Sequence, residues 1–300
     1  MPDWGAVLKD LNNSVHPLDT ARWKYLKIFG QYTNRNVISY YSGFLQKSGN
    51  ATTGIDDNDK NAFMQAVHHL DKSKGLDLIL HTPGGDIAAT ESIVRYLKSF
   101  FGNDIRAFIP QIAMSAGTMI SLSCREIVMG KQSSLGPIDP QYGGVSCHGV
   151  LEEFKQALED VKADQSAILV WRPIIEKYHP TFLGDCENAI DWAEKMVGEW
   201  LSENMFSGDH EKAMEVVKKL CNHKDTKAHN RHFDKEECKK IGLKIVDLEG
   251  FDSSRKEDCQ DLQDCLLTIH HTYMHTFSST PAVKIVENHL GNGNTMIING

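Results

Sequence analysis

The chain has 300 residues, 41% hydrophobic and 24% charged, which is enough apolar material for a sizeable core and ordinary for a globular protein. A formal charge of −8 leaves no basic stripe to displace phosphate counterions, so nucleic acid is excluded as an expected partner. No run approaches the roughly 18 apolar residues of a membrane helix, the first residues lack a secretory apolar core, and seven cysteines without a CxxC pair fit free thiols, so the expected setting is the cytoplasm.

Trp4, Val7, Leu8 and Leu11, then Pro17, then Trp23, Leu26 and Ile28 predict two short amphipathic helices that pack on the core or on a neighbouring subunit. Arg35 to Tyr41 is rich in β-branched and aromatic residues and predicts the first strand. Residues 47–59 hold acids, but the glycine precedes them and the DxDxDG order is missing, so a loop ending in a helix cap is expected rather than a calcium loop. A helix follows from Asp59 to Asp71, with Phe63, Met64, Val67 and Leu70 on one side; His68 and His69 have no ligand four residues on and read as surface histidines.

The next stretch, Leu76 to Gln141, uses one device twice. Leu76, Leu78, Ile79 and Leu80 predict a buried strand that stops at Thr82-Pro83-Gly84-Gly85. Asp86 then caps a helix carrying Ile87, Ile93, Val94, Leu97 and Phe101. In the second unit Ile105 to Ile109 is strand, Pro110-Gln111 breaks it, and Ser115-Ala116-Gly117 opens a small-residue helical segment, Thr118 to Cys124; Glu126 to Met129 is a further strand.

In parallel α/β sheets, reactive groups gather beyond the carboxyl ends of strands, so Gly84-Gly85 and Ser115 are expected to meet there. A serine at a helix start has exposed amide groups beside it, which favour negative charge. Acyl transfer needs that combination: a nucleophile, and two N–H donors for the oxyanion, each worth on the order of 3 kcal/mol. The Gly85 and Ala116 amides are the candidates for the donors.

HTPGGD, AMSAGT and LGPIDPQ, in this order and spacing, resemble the serine dehydrogenase proteinase family of the Clp-protease/crotonase superfamily, a relative of signal peptide peptidase A. The likeness is clearest over residues 35–145 and resumes at 227–247. It implies an α/β fold of repeated β-β-α units with a helical C-terminal part, divided into an N-terminal helical extension (1–34), a catalytic domain (35–250) and an accessory segment (251–300). It also implies a serine endopeptidase acting on protein or peptide substrates through an acyl-enzyme at Ser115, with no cofactor or metal, in a homo-oligomer. Gly84 and Met114 are then expected beside the substrate.

Two prolines and a glycine around Asp139 predict a rigid turn, which suits either a capping aspartate or one that orients a histidine. The resemblance favours the second and supplies the histidine. The family's Thr-His-Asp segment aligns with Ala228-His229-Asn230, so His229 is the expected base and His232 the competing one. A variant similar to signal peptide peptidase A would use a lysine instead, and Lys155 is the candidate, although its acidic neighbours Glu152 and Glu153 would oppose loss of its proton. A crotonase-like acyl-CoA enzyme and a non-catalytic scaffold are the rival readings; a serine where acyl-CoA enzymes need only a backbone donor speaks against the first, and Asn230 in place of aspartate speaks for the second.

From about Val150 to Leu220 the pattern is helical, interrupted near Pro173 and at His179-Pro180, and the apolar stripes there predict subunit contacts or a lid. Asp234 caps a short helix that Gly242 ends, and Leu243 to Leu248 return to the sheet. Beyond Gly250 an accessory helix and a peripheral strand, Val283 to Asn288, are expected; His271 and His275 stand at i, i+4 without a third metal ligand.

Overall fold

In the computed structural model, residues 17–221, 230–251, 259 and 261–298 are described. The apolar segments form parallel neighbours, β1 (Asn36–Ser42), β2 (Leu76–His81), β3 (Ile105–Ile109), β4 (Glu126–Met129) and β5 (Ile245–Asp247). β6 (Ala282–Asn288) and β7 (Gly293–Ile297) continue the sheet antiparallel, giving the order β7-β6-β1-β2-β3-β4-β5. The helices between and around them are α1 (Pro17–Thr33), α2 (Asp57–Val67), α3 (Ile87–Phe101), α4 (Ala116–Leu122), α5 (Cys147–Ala163), α6 (Ile168–Ile175), α7 (Phe182–Trp200), α8 (His210–Cys221), α9 (Lys235–Ile241) and α10 (Leu262–Ser279).

β1, β2 and β3 are buried along their whole length, which is why their sequences run apolar instead of alternating. The register sets Ile38 beside Leu78, Leu78 beside Ala107, and Ala107 beside Ile127, a layer that faces α2, α3, α4, α7 and α8. On the opposite face Val37, Tyr41, Ile79, Phe108 and Val128 pack under α1 and α10. Each of these side chains, once withdrawn from water, contributes roughly 1.5–3 kcal/mol.

Asp56 starts α2 with a reciprocal capping box to Asp59, so the acid-rich loop ends in a helix cap as its order of residues implied. Pro173 sits inside α6 rather than between helices. The carbonyl four residues before it belongs to Leu169, whose side chain is strongly exposed, so water can serve the bond that proline cannot make.

The C-terminal strand differs most from expectation. β6 is an interior strand, buried throughout, and the edge position falls to β7. Its charges mislead a sequence reading because both are neutralised at long range: Lys284 lies against Asp56 and Asp59, and Glu287 accepts from Arg22 and Tyr273. No described helix is long and apolar enough to cross a membrane.

Candidate active site

β2 ends at His81, and the chain leaves it in extended form. Thr82 pairs with Ala113: its N–H donates to the Ile112 carbonyl at 3.1 Å, and Met114 N–H donates to the Thr82 carbonyl at 3.0 Å. This pairing lays Thr82 to Asp86 alongside the segment that leads into α4.

Gly84 and Gly85 are required by that contact. Gly84 has φ of 102°, and a Cβ there would stand 2.7 Å from the Ser115 Cβ and 3.0 Å from the Ala116 nitrogen. A Cβ on Gly85 would enter the backbone of Ile55, which bridges the strand from its other side. Ile55 N–H donates to the Gly84 carbonyl at 2.8 Å, and Asp86 N–H donates to the Ile55 carbonyl at 2.9 Å. Gly84 N–H turns to Thr82 Oγ1 at 3.2 Å. The trans peptide between Gly84 and Gly85 sets the Gly85 N–H antiparallel to the Gly84 carbonyl, and so away from Ile55.

Ser115 precedes α4 with φ of 49° and ψ of −116°, a positive-φ conformation uncommon for a residue carrying a Cβ. Its carbonyl accepts from Met119 N–H at 3.0 Å, so the backbone is committed to the helix. Its Oγ makes no capping bond among the described residues. Gly117 N–H is tied to the Met114 carbonyl at 2.7 Å, which fixes the sharp turn on which Ser115 stands.

Ser115, Gly85 and Asp139 line one cavity of about 400 Å³. Asp86, Ile87 and Met119 form its wall, and Asn188, Ala189 and Trp192 of α7 come over it from one side, with Tyr142 from another. The sequence reading missed these α7 residues. Asn188 and Trp192 stand four apart, off the buried stripe Ala189, Ala193, Met196 and Val197; a tryptophan beside a stripe rather than in it was the available signal.

Asp139 is buried, at 1% exposure, in the turn between two anchors. Ile138 N–H donates to the Leu220 carbonyl at 3.3 Å, and Cys147 N–H donates to the Pro140 carbonyl at 3.0 Å. Upstream, Thr118 Oγ1 of α4 accepts from Gly136 N–H at 3.0 Å, linking the Asp139 turn to the helix that carries Ser115.

The remaining sequence candidates distribute as follows. Ala116 is buried directly behind Ser115, and Gly84 and Met114 pack behind them without lining the cavity. His232 is turned to Ser134, its Nδ1 2.8 Å from Oγ, and is not among the lining residues. Lys155 is exposed on α5, also outside the lining. His229 lies outside the described residues. The described chain on either side of it is held close to the site: burial, with the carboxylates of Glu194 and Asp139, pushes the Cys221 thiol well above its usual range, and Phe233 pairs with Leu135 through bonds of 2.8 and 3.0 Å. Among the described residues no group of three or more His, Cys, Asp or Glu side chains could hold a metal ion.

The family model for ClpP-like SDH-type serine proteinases matches residues 51–249. Two uncharacterized proteins of Methanocaldococcus jannaschii are 32% and 33% identical to this chain over 187 residues, 62% of its length. The chain spans 59% and 57% of the length of those relatives. A solved membrane-bound stomatin-specific protease aligns over 64% of this chain and 74% of its own, at 16% identity and a TM-score of 0.38.

Proposed function

The chain belongs to the ClpP-like SDH-type serine proteinases, and on that premise we propose that it hydrolyses peptide bonds through an acyl-enzyme at Ser115. The observation that carries the reading is the posture of Ser115: a strained φ of 49°, a hydroxyl left out of the helix cap, and an opening onto the cavity that Gly85 and Asp139 share.

In this mechanism Ser115 Oγ attacks the substrate carbonyl carbon while His229 takes its proton. The oxyanion that forms is held by the Gly85 and Ala116 amides, which need no reorganisation because the bridge to Ile55 and the turn at Met114–Gly117 already fix them. Collapse breaks the C–N bond, and His229 returns the proton to the leaving amine. Water then repeats the sequence on the ester and frees the acid. Asp139 orients His229; its burial and the short tethers to Leu220 and Phe233 on either side of residues 222–229 support that pairing. Lys155 is not adopted as base, since it is exposed on α5 and outside the residues that line the cavity. Protein or peptide substrates, and a homo-oligomer joined through the exposed Ile168, Leu169 and Val170 of α6, complete the proposal.

A fluorophosphonate probe tests it. The probe is expected to modify Ser115 in the wild type, located by peptide mapping, and Ser115→Ala is expected to abolish labelling while leaving the circular dichroism unchanged. His229→Ala and Asp139→Asn are expected to slow labelling by roughly 10⁴-fold. Undiminished labelling of a folded Ser115→Ala protein would reject this nucleophile.

A further inference from the structure

The strand that carries Gly85, one of the two oxyanion donors, is itself held by Ile55, and the loop containing Ile55 is held by Lys284 of β6. Lys284 of β6 is buried, at 1% exposure, and its ammonium donates three bonds. One goes to the Gly54 carbonyl at 2.9 Å, one to Asp56 Oδ2 at 2.9 Å, and one to Asp59 Oδ2 at 3.0 Å. An ammonium has three donors, so this one is saturated. Two of the three acceptors flank Ile55 in sequence.

The network continues to Thr82, at the base of the same strand. Tyr40 OH donates to Asp59 Oδ2 at 3.0 Å, and the Tyr40 hydroxyl also meets the Thr82 side chain, whose Oγ1 receives the Gly84 N–H. Gly84-Gly85 is thus gripped twice: through Lys284, Gly54 and Ile55, and through Asp59, Tyr40 and Thr82.

A buried ion pair is a costly way to gain stability, because apolar residues of similar volume usually do as well. What it supplies instead is fixed geometry: an ammonium with three directed bonds admits little displacement of the loop it binds. We infer that Lys284, from outside the matched residues 51–249, is a positioning residue for the oxyanion donors, acting through the Gly54–Asp56 loop, with Asp59 and Tyr40 as its relay to Thr82. The inference rests on the reading of Gly85 as a donor; the bracing itself does not.

The experiment uses the full chain as wild type, Lys284→Met, Lys284→Arg, Tyr40→Phe and Glu287→Gln. Glu287 sits on the same strand but faces α1 and α10, bonded to Arg22 and Tyr273, so its variant controls for loss of a buried charge that does not touch the loop. Two quantities are read: the second-order rate of fluorophosphonate labelling at Ser115, and hydrogen exchange at the Ile55, Gly84 and Asp86 amides. Lys284→Met and Tyr40→Phe are expected to lower the labelling rate by about 10- to 100-fold and to raise exchange at those amides about tenfold or more. Lys284→Arg is expected to recover most of both, and Glu287→Gln to change neither while lowering the melting temperature. Wild-type exchange at these amides in folded Lys284→Met, or an equal rise in Glu287→Gln, would overturn the inference. Should Lys284→Met not fold, Tyr40→Phe decides by the same two readings. If the wild type is not labelled at Ser115, the peptidase reading fails by itself, and the exchange data still decide whether Lys284 braces the strand.

Discussion

A single methyl group is enough to probe how Gly84 and Ser115 meet. In Gly84→Ala the new Cβ would lie 2.7 Å from the Ser115 Cβ and 2.8 Å from the Met114 carbonyl, at a φ of 102° that alanine rarely adopts. The two segments must separate, so labelling at Ser115 is expected to fall sharply while stability drops by about 1–3 kcal/mol; a labelling rate within twofold of wild type would show that the contact is not needed. His81, just upstream at the end of β2, reports on the packing of the sheet by its charge. It is fully buried among Tyr41, Phe44 and His270, and burial lowers its pKa from 6.5 to about 3, with the Ile112 backbone opposing. A depressed native pKa means that stability is fully present above pH 6.5 and is lost as pH falls toward about 3, because only the unfolded chain takes up the proton in that window. Each pH unit below 6.5 is expected to remove about 1.4 kcal/mol, so urea unfolding at pH 5 against pH 7 should differ by about 2 kcal/mol from this residue. In His81→Leu the pH slope of the unfolding free energy should fall by about one proton.

The strands and the loops behave differently as sources of information. β1 to β4 were legible from short apolar runs because burial on both faces demands such runs and few other structures do. The meeting of Gly84-Gly85 with Ser115 was legible for a similar reason: consecutive parallel strands leave their carboxyl ends side by side. The interior place of β6 was not, since Lys284 and Glu287 look solvated until the charges that neutralise them, more than 200 residues away in sequence, are known. The place of α7 over the cavity was hidden too, because an amphipathic stripe says which face is buried and nothing about which neighbour buries it. That asymmetry has a consequence for the C-terminal segment. Ending the chain at Ser279 removes β6 and β7, exposes the edge of β1, and leaves Asp59 buried without its ammonium. The shortened protein is expected to lose its cooperative thermal transition and to bind a hydrophobic dye such as ANS. A sharp transition near that of the full chain would make the segment an accessory after all.

The sheet as a whole has two chemically distinct ends. At the carboxyl end of β2 stand the glycines and the cavity; at its amino end Asp77, with no exposure, accepts from Arg35 Nε at 2.9 Å and from Arg106 at 2.7 and 2.8 Å. Asp104 extends the cluster, receiving Arg35 at 2.9 Å and Arg125 at 2.8 Å. These bonds tie the starts of β2 and β3 to the residue that precedes β1, which sets the register on which the layer Ile38–Leu78–Ala107 depends. Asp77→Asn keeps the shape but strips the charge that two buried or half-buried guanidiniums share, and a cost of about 3–5 kcal/mol is expected, read from the urea midpoint. Five residues of extended chain separate Asp77 from Thr82, roughly 17 Å, which is beyond the roughly 10 Å over which mutational effects usually couple. The folded fraction of Asp77→Asn should therefore be labelled at Ser115 at the wild-type rate, in contrast to Lys284→Met. If the labelling rate instead declined in step with stability, the two ends would be mechanically coupled, and the site would owe its geometry to the whole sheet rather than to the local grip on Gly84-Gly85.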